Sequence, residues 1–557
     1  MVRDGREDDG LYGRGGSGFG VGLVALLAAC LLLTPAYARG AADEQALRAQ
    51  IAHAEGAELH ALLRRWVELR RQVPAAPKGE PAVITIDTGV GDEFDEFAAF
   101  SEPSAAAGGI GGGGNAAVFG RFVTKIAVDT NRDNRFEDYF DWRTELRPGV
   151  DLHWSDVTSL RLSAKALHQM RTGYKTRWDW ETKLYEGYVD HRTGPYDIRV
   201  GKQIVSWGRA DAINPTDNLN PQDLREIVTI AADDRKIPIT MVRVRRAWQR
   251  NDLDVIYIPF FEPDEFDLIG GDFAALQPGF LPEEWERVFN KLTEDLRSSR
   301  VTYSGESIFR IDEPEEKGYN GELGVRWTSK AGRFDYSLSA FYTYDDMPSF
   351  KLDLGVLRRF NLRDEDTRRF LEEAEISDLA RLRHIFQQKF RRQLILGADF
   401  ETLVGRSSVR GEAALTFNRV YYREDLTRAD RPVLNYVVGI DRTLPRKIYG
   451  NLQFLQQVLL RHDSDIISER VRSGVTAALR RDLYDNQIHL KLSTLYFLDD
   501  GDYFLNLEAV YDLADALDVA AGVNFFQGDR DASLLETATI SKFTNNDQVY
   551  SRLLYHF

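Results

Sequence analysis

From Val118 onward the apolar positions recur with a period of two. Trp142, Thr144, Leu146, Pro148, Val150, Leu152 and Trp154 alternate with Arg143, Glu145, Arg147, Gly149, Asp151 and His153, giving one apolar face with tryptophan at both ends and one charged face. The same pattern returns in Phe334, Tyr336, Leu338, Ala340, Tyr342 and Tyr344, and again in Leu517, Val519, Ala521, Val523 and Phe525. A period of two places successive side chains on opposite faces of a strand. Soluble sandwiches alternate too, so the alternation alone leaves two architectures open.

Strand length, aromatic placement and connection length favour a membrane barrel. The alternating segments run about 10–14 residues, longer than the common strand, and their aromatics gather toward the ends as in interfacial girdles. The connections "WSDV", "HRTGP", "RND", "SKAG" and "VGRS" are tight, whereas those from Arg209 to Ile237, Glu262 to Lys317 and Asp346 to Phe390 are long. Short turns at one rim and long loops at the other produce this asymmetry. The closing stretch "QVYSRLLYHF" sets Val549, Ser551, Leu553, Tyr555 and Phe557 on one face. It resembles the terminal strand of Gram-negative outer-membrane proteins, which implies recognition by the barrel-assembly machinery during insertion. Because open strand edges go unsatisfied in lipid, the sheet must close. The expected fold is therefore all-β, a transmembrane antiparallel β-barrel of about 16–18 strands over 118–557, preceded by a short N-terminal helix.

Composition does not oppose this. The chain has 557 residues, 43% hydrophobic and 28% charged, which looks soluble; alternating strands hide their lipid-facing half in such an average. A net charge of −16 argues against nucleic acid as a partner.

Ahead of the barrel, Arg3, Arg6 and Arg14 precede "VGLVALLAACLLLTPAYARG", and Ala36-Tyr37-Ala38 supplies a small-x-small cleavage site. Residues 1–38 read as an export signal. The only cysteine, Cys30, lies within it, in a stretch that also resembles a lipoprotein box. Residues 39–73 read as a periplasmic helix. From Asp43 to Val73, Leu47, Ile51, Ala54, Leu62, Trp66, Leu69 and Val73 form an apolar seam, suited to a short coiled coil or to packing elsewhere. Residues 74–117, with "PAAPKGEP" and "AAAGGIGGGGNAA", form a linker.

With the apolar face toward lipid, the opposite face lines the lumen. Its early strands carry Arg121, Lys125, Arg143, Arg147, Arg161, Lys165, Arg199, Arg243 and Arg245; its late strands carry Glu508, Asp512 and Asp518. The expectation is a basic wall facing an acidic one, either selecting solutes by charge or merely pairing with neighbours such as Glu145 and Glu186 to fill the barrel. The stretch "VGKQIVSWGRADAINPTDNLNPQDLREI" then reads as a lumen-lining strand that reaches the outer rim at Trp207-Gly208 and continues into a loop able to fold inward. Its constriction candidates are Arg209, Asp211, Asn214, Asp217 and Asp223, with Pro215 and Pro221 restricting the backbone.

The segment from Leu184 to Leu224, "Y-E-x-Y-V-D", a turn, then "R-V-G-K-Q-I-V-S-W-G-R" and "INPTDNLNPQDL", resembles a porin-like family of largely uncharacterised Gram-negative outer-membrane barrels associated with envelope transport. That resemblance implies transport across the outer membrane and names no substrate.

Other chemistries find little support. "DTNRDNRFED" offers calcium oxygens at Asp129, Asn131 and Asp133, but Asn134 replaces the loop glycine and Phe140 the twelfth-position acid. No histidine sits in a nucleophile motif; His168 and His462, near long loops, are the two worth inspecting. Without C-x-x-C-H there is no c-type haem, and no cofactor is expected. The reading is a non-enzymatic outer-membrane channel passing solutes through a charged aqueous lumen narrowed by inward loops. The alternative is a docking barrel of an envelope export complex, engaged through Asp43 to Val73.

Overall fold

The computed structural model describes residues 116–130, 140–172, 176–211, 213–226, 229, 232–267, 273, 309–315, 317–352, 386–423, 427–528, 540–544 and 546–557. The export signal with Cys30, the helix 39–73, nearly all of the linker, and Asn131 and Asp133 lie outside the described residues.

Twenty-one strands occur among the described residues. The first seven are β1 (Ala116–Asp129), β2 (Phe140–Ser155), β3 (Thr158–Thr172), β4 (Thr176–Thr193), β5 (Tyr196–Gln203), β6 (Ile239–Trp248) and β7 (Asn251–Ile258). Then follow β8 (Phe309–Asp312), β9 (Glu322–Ala331), β10 (Phe334–Tyr344), β11 (Ser349–Leu352), β12 (Phe386–Lys389), β13 (Arg392–Val404) and β14 (Ser407–Tyr422). The last are β15 (Arg428–Leu444), β16 (Ile448–Leu459), β17 (Val471–Leu483), β18 (Ile488–Phe497), β19 (Tyr503–Ala514), β20 (Leu517–Gln527) and β21 (Gln548–His556).

Eighteen of these form one sheet in which each strand pairs antiparallel with its sequence neighbours. The remaining three, β8, β11 and β12, form a small sheet that links two of the long loops. Pairing of β1 with β21, from Arg121↔His556 to Asp129↔Gln548, closes the ring. A closed transmembrane antiparallel barrel results, with every edge satisfied. At the seam Gly120 N–H donates to the Phe557 carbonyl at 2.7 Å, and Phe557 N–H donates back at 2.9 Å. The Phe557 ring lies over Gly120, where a Cβ would meet it at 2.2 Å.

Alternation sets the two faces. Trp154, Leu338, Tyr342, Phe525 and Val549 are exposed on the outside, as expected for a surface solvated by hydrocarbon. His168 also points outward, 5.8 Å from Trp142 and 4.2 Å from Trp180 between ring centroids, within an aromatic patch near the long-loop end. Its neighbours are those of an interfacial side chain. His462 Nε2 lies 3.0 Å from the Ser468 carbonyl in a loop. All five tight connections named above fall at one rim, and the three long ones at the other.

Inside, the long-loop half contains apolar packing that the alternation does not forecast. Val205, Trp207 and Leu219, from the segment after β5, pack with Ile239, Met241, Ile256, Ile258, Phe341 and Ile395 of the inner wall. A second cluster joins Phe497, Phe504 and Phe526 to Phe273, Ile540 and Phe543 from two other loops. Burying such a side chain contributes about 1.5–3 kcal/mol, so these loops are held inside by cores of their own.

Candidate functional site

The segment between β5 and β6, residues 204–238, crosses the lumen. β5 leaves the sheet at Gln203, four residues before the Trp207 that the sequence places at the outer rim. Trp207 is instead buried inside, beside Gly324 and 6.4 Å from Phe341, because the wall strands there present apolar side chains inward. Asn220 ties the two stems together: its Oδ1 accepts from Val205 N–H at 2.9 Å, and its Nδ2 donates to the carbonyls of Gln203 at 3.1 Å and Ile237 at 2.9 Å. These backbone groups lie where β5 ends and β6 is about to begin, and one buried amide binds all three.

Beyond the stem the chain runs to the far wall. Gly208, with φ of +104°, turns it so that Arg209 N–H, Ala210 N–H and Thr216 Oγ1 all donate to the Glu412 carboxylate of β14. Arg209 donates to Asp399 at 2.9 Å and to Glu401 at 3.1 Å, both on β13. Asp211 accepts from Arg410 at 2.6 Å, from Asn451 at 2.6 Å and from Gln453 at 3.0 Å. Asn451 and Gln453 lie on β16, which follows β5 around the ring by way of β6, β7, β9, β10, β13, β14 and β15, close to diametrically opposite.

The return half docks on the first strands. Asp217 accepts from Trp207 N–H at 3.0 Å and bridges Lys236 at 2.7 Å; the Asn214 carbonyl accepts from Asp217 N–H at 3.1 Å, closing a local turn. Asp223 binds Arg225 at 2.8 Å and lies 4.0 Å from Arg143. Although burial opposes it, the hydrogen bond and charge of Arg225 hold the Asp223 carboxyl down at about 2. Glu226 takes Arg143 at 3.0 Å, Lys125 at 3.3 Å and the Gln169 amide at 2.9 Å. Asp234 accepts both terminal nitrogens of Arg121, at 2.7 and 2.8 Å, and Arg147 at 3.2 Å.

The nine basic residues named from sequence divide in two. Arg121, Lys125, Arg143, Arg147 and Lys165 cluster with Glu145 and the loop acids, Lys165 lying 3.4 Å from Glu145. Arg161, Arg199, Arg243 and Arg245 pair with Asp151, Asp190, Asp254 and Asp252 on adjacent strands at 2.5–2.8 Å. The acidic residues named with them do not face the basic wall. Glu508 and Asp512 lie on β19 and Asp518 on β20, and closure of β21 onto β1 brings those strands beside β1. Glu508 accordingly binds Arg552 at 3.2 Å, and Asp512 binds His489 at 3.0 Å. The acids across the lumen are Asp399, Glu401, Glu412 and Asp441, which the sequence reading missed. Asp129 ends β1, and no group of acids and histidines suited to a metal ion occurs among the described residues.

Residues 125–440 match the family described as "Protein of unknown function (DUF1302)". The chain belongs to that family. The DUF1302 match runs from within β1 into β15 and takes in the whole lumen-crossing loop. No curated protein matches the chain in sequence. Among solved structures it is similar to OccAB2 of Acinetobacter baumannii, at 8% identity and a TM-score of 0.43 over 80% of this chain and 98% of that one. It is also similar to the outer-membrane channel DcaP of the same organism, at 9% identity and 0.34, covering 81% and 99%. Similarity to Salmonella typhi OmpF, in a complex with daunomycin, stands at 9% and 0.37, covering 79% and 97%.

Proposed function

We propose that this DUF1302 barrel is an outer-membrane channel of a Gram-negative envelope, passing small hydrophilic solutes through a charged lumen that the loop 204–238 narrows. The observation carrying this reading is the loop's two-sided anchorage, on β1–β3 through Glu226 and Asp234 and on β13–β16 through Arg209 and Asp211. A belt of exposed aliphatic and aromatic side chains suits a hydrocarbon surround, while dense inward charge requires water or close partners. The tight turns then face the periplasm and the long loops the exterior. Opposed charge across a low-dielectric lumen orients passing solutes, and a fixed loop sets the size limit.

The test is planar-bilayer conductance of the full chain, native and with residues 209–236 replaced by a short Gly-Ser linker. The shortened protein should conduct more. Absence of current from both would overturn the channel reading and favour the docking barrel.

A further inference from the structure

Between the return half of the loop and the wall formed by β1, β2 and β21 lies a cavity of about 70 Å³ that opens to the lumen. Five cationic side chains line it: Arg121, Lys125, Arg143, Arg147 and Arg552. Among the described residues three carboxylates face them, Glu145 from β2 and Glu226 and Asp234 from the loop, so this lining holds two more cations than carboxylates. Behind this layer charges of both signs border the lining, Lys165 beside Glu145, Asp223 beside Arg143 and Glu508 beside Arg552.

Each of the three carboxylates is shared between cations. Asp234 spans Arg121 and Arg147, and Glu226 spans Arg143 and Lys125. Glu145 spans Arg147 and Arg143, the latter at 3.5 Å, as well as Lys165. Two of these three acids belong to a loop, whereas every cation belongs to the wall. Paired guanidinium groups a few ångströms apart form donor forks suited to oxyanions.

We propose that this cavity is a binding site for small oxyanions carrying about two negative charges, such as a dicarboxylate or hydrogen phosphate, and that Glu226 and Asp234 are internal ligands which an arriving anion displaces. Exchanging loop carboxylates for solute carboxylates keeps the cations paired throughout, so the site loads without exposing bare charge in a low-dielectric wall. The channel reading supplies the solute's route; the binding site itself does not require current to flow.

Binding is measured calorimetrically on the full chain in detergent, with succinate in one arm, inorganic phosphate in another and chloride as the ionic-strength control. Saturable binding of succinate, phosphate or both is expected, with chloride giving none. In Arg143→Gln it should weaken about tenfold, as for loss of one charge-assisted hydrogen bond. In Glu226→Gln, which removes a competitor, it should tighten by roughly threefold or more. Heat-modifiable gel migration checks that each variant is folded, and Lys125→Gln replaces Arg143→Gln if the latter is not. No binding of either oxyanion to native protein, or an unchanged affinity in folded Glu226→Gln, would overturn the site. Binding without bilayer conductance would overturn the channel and leave the site; conductance without binding would do the reverse.

Discussion

Asp211, at the tip of the lumen-crossing loop, accepts a 2.6 Å hydrogen bond from Arg410 of β14, and Arg410 donates its other terminal nitrogen to Asp441 of β15 at the same distance. All three side chains are buried. This triad pins the loop to the wall opposite its root. Removing one partner of a buried pair strands the others at a cost of about 3–5 kcal/mol. Asp211→Ala should therefore free the tip while the barrel stays folded, raising single-channel conductance and adding open-state noise. A conductance equal to the native value would show that the tip does not limit flow.

Asn220→Leu keeps the volume of that side chain and removes its three hydrogen bonds to the loop stems. Each buried backbone group left unpaired costs about 1–3 kcal/mol, enough to loosen the crossing segment. Protease cleavage between 209 and 236 should appear in the variant and be absent from the native barrel.

Gly208→Ala tests the turn that delivers Arg209 and Ala210 to Glu412. A Cβ there would sit 2.6 Å from Glu412 Oε1 and 2.8 Å from Thr216 Oγ1, on a backbone with φ of +104°. Such a conformation costs a non-glycine residue about 1–3 kcal/mol before any clash. The variant should resemble Asp211→Ala in conductance and leave barrel thermal stability unchanged.

Asp264, in the loop after β7, accepts from Gln222 N–H at 2.7 Å and so joins two loops. Burial, reinforced by the nearby Asp345 charge, raises its carboxyl to about 6. A carboxyl raised above its unfolded value favours the folded form below that value and loses the contribution as pH rises through the folded one. Loop anchorage should thus be firmer at pH 5 than at pH 7.5, with a midpoint near 6 in hydrogen exchange at Gln222. Asp264→Asn should flatten that dependence.

The architecture was legible because strand alternation and turn length are local signals. Trp142 to Trp154 and Leu517 to Phe525 show their lipid-facing sides in a few residues, and the ring follows. What escaped reading depends on which distant segments the ring brings together. Glu226 and Asp234 look like ordinary loop acids until β1 and β2 are known to stand beside them. The acids Glu508 and Asp512, read as facing the basic wall, lie next to it once β21 pairs with β1. Glu412 and Asp399 carry no signal at all, since a lone acid in an alternating strand reads the same whether it meets water or two amides. Inward Ile256, Ile258 and Phe341 break the alternation near the long loops; that disruption was a readable hint that something apolar packs against them.

The loop's two anchors lie on opposite arcs, and those arcs face each other only after Gly120 has met Phe557. During insertion an unclosed sheet has no far wall for Asp211 to reach. Docking of the loop on β13–β16 must therefore follow closure of the ring, and a barrel whose loop has yet to dock should conduct more than the finished one.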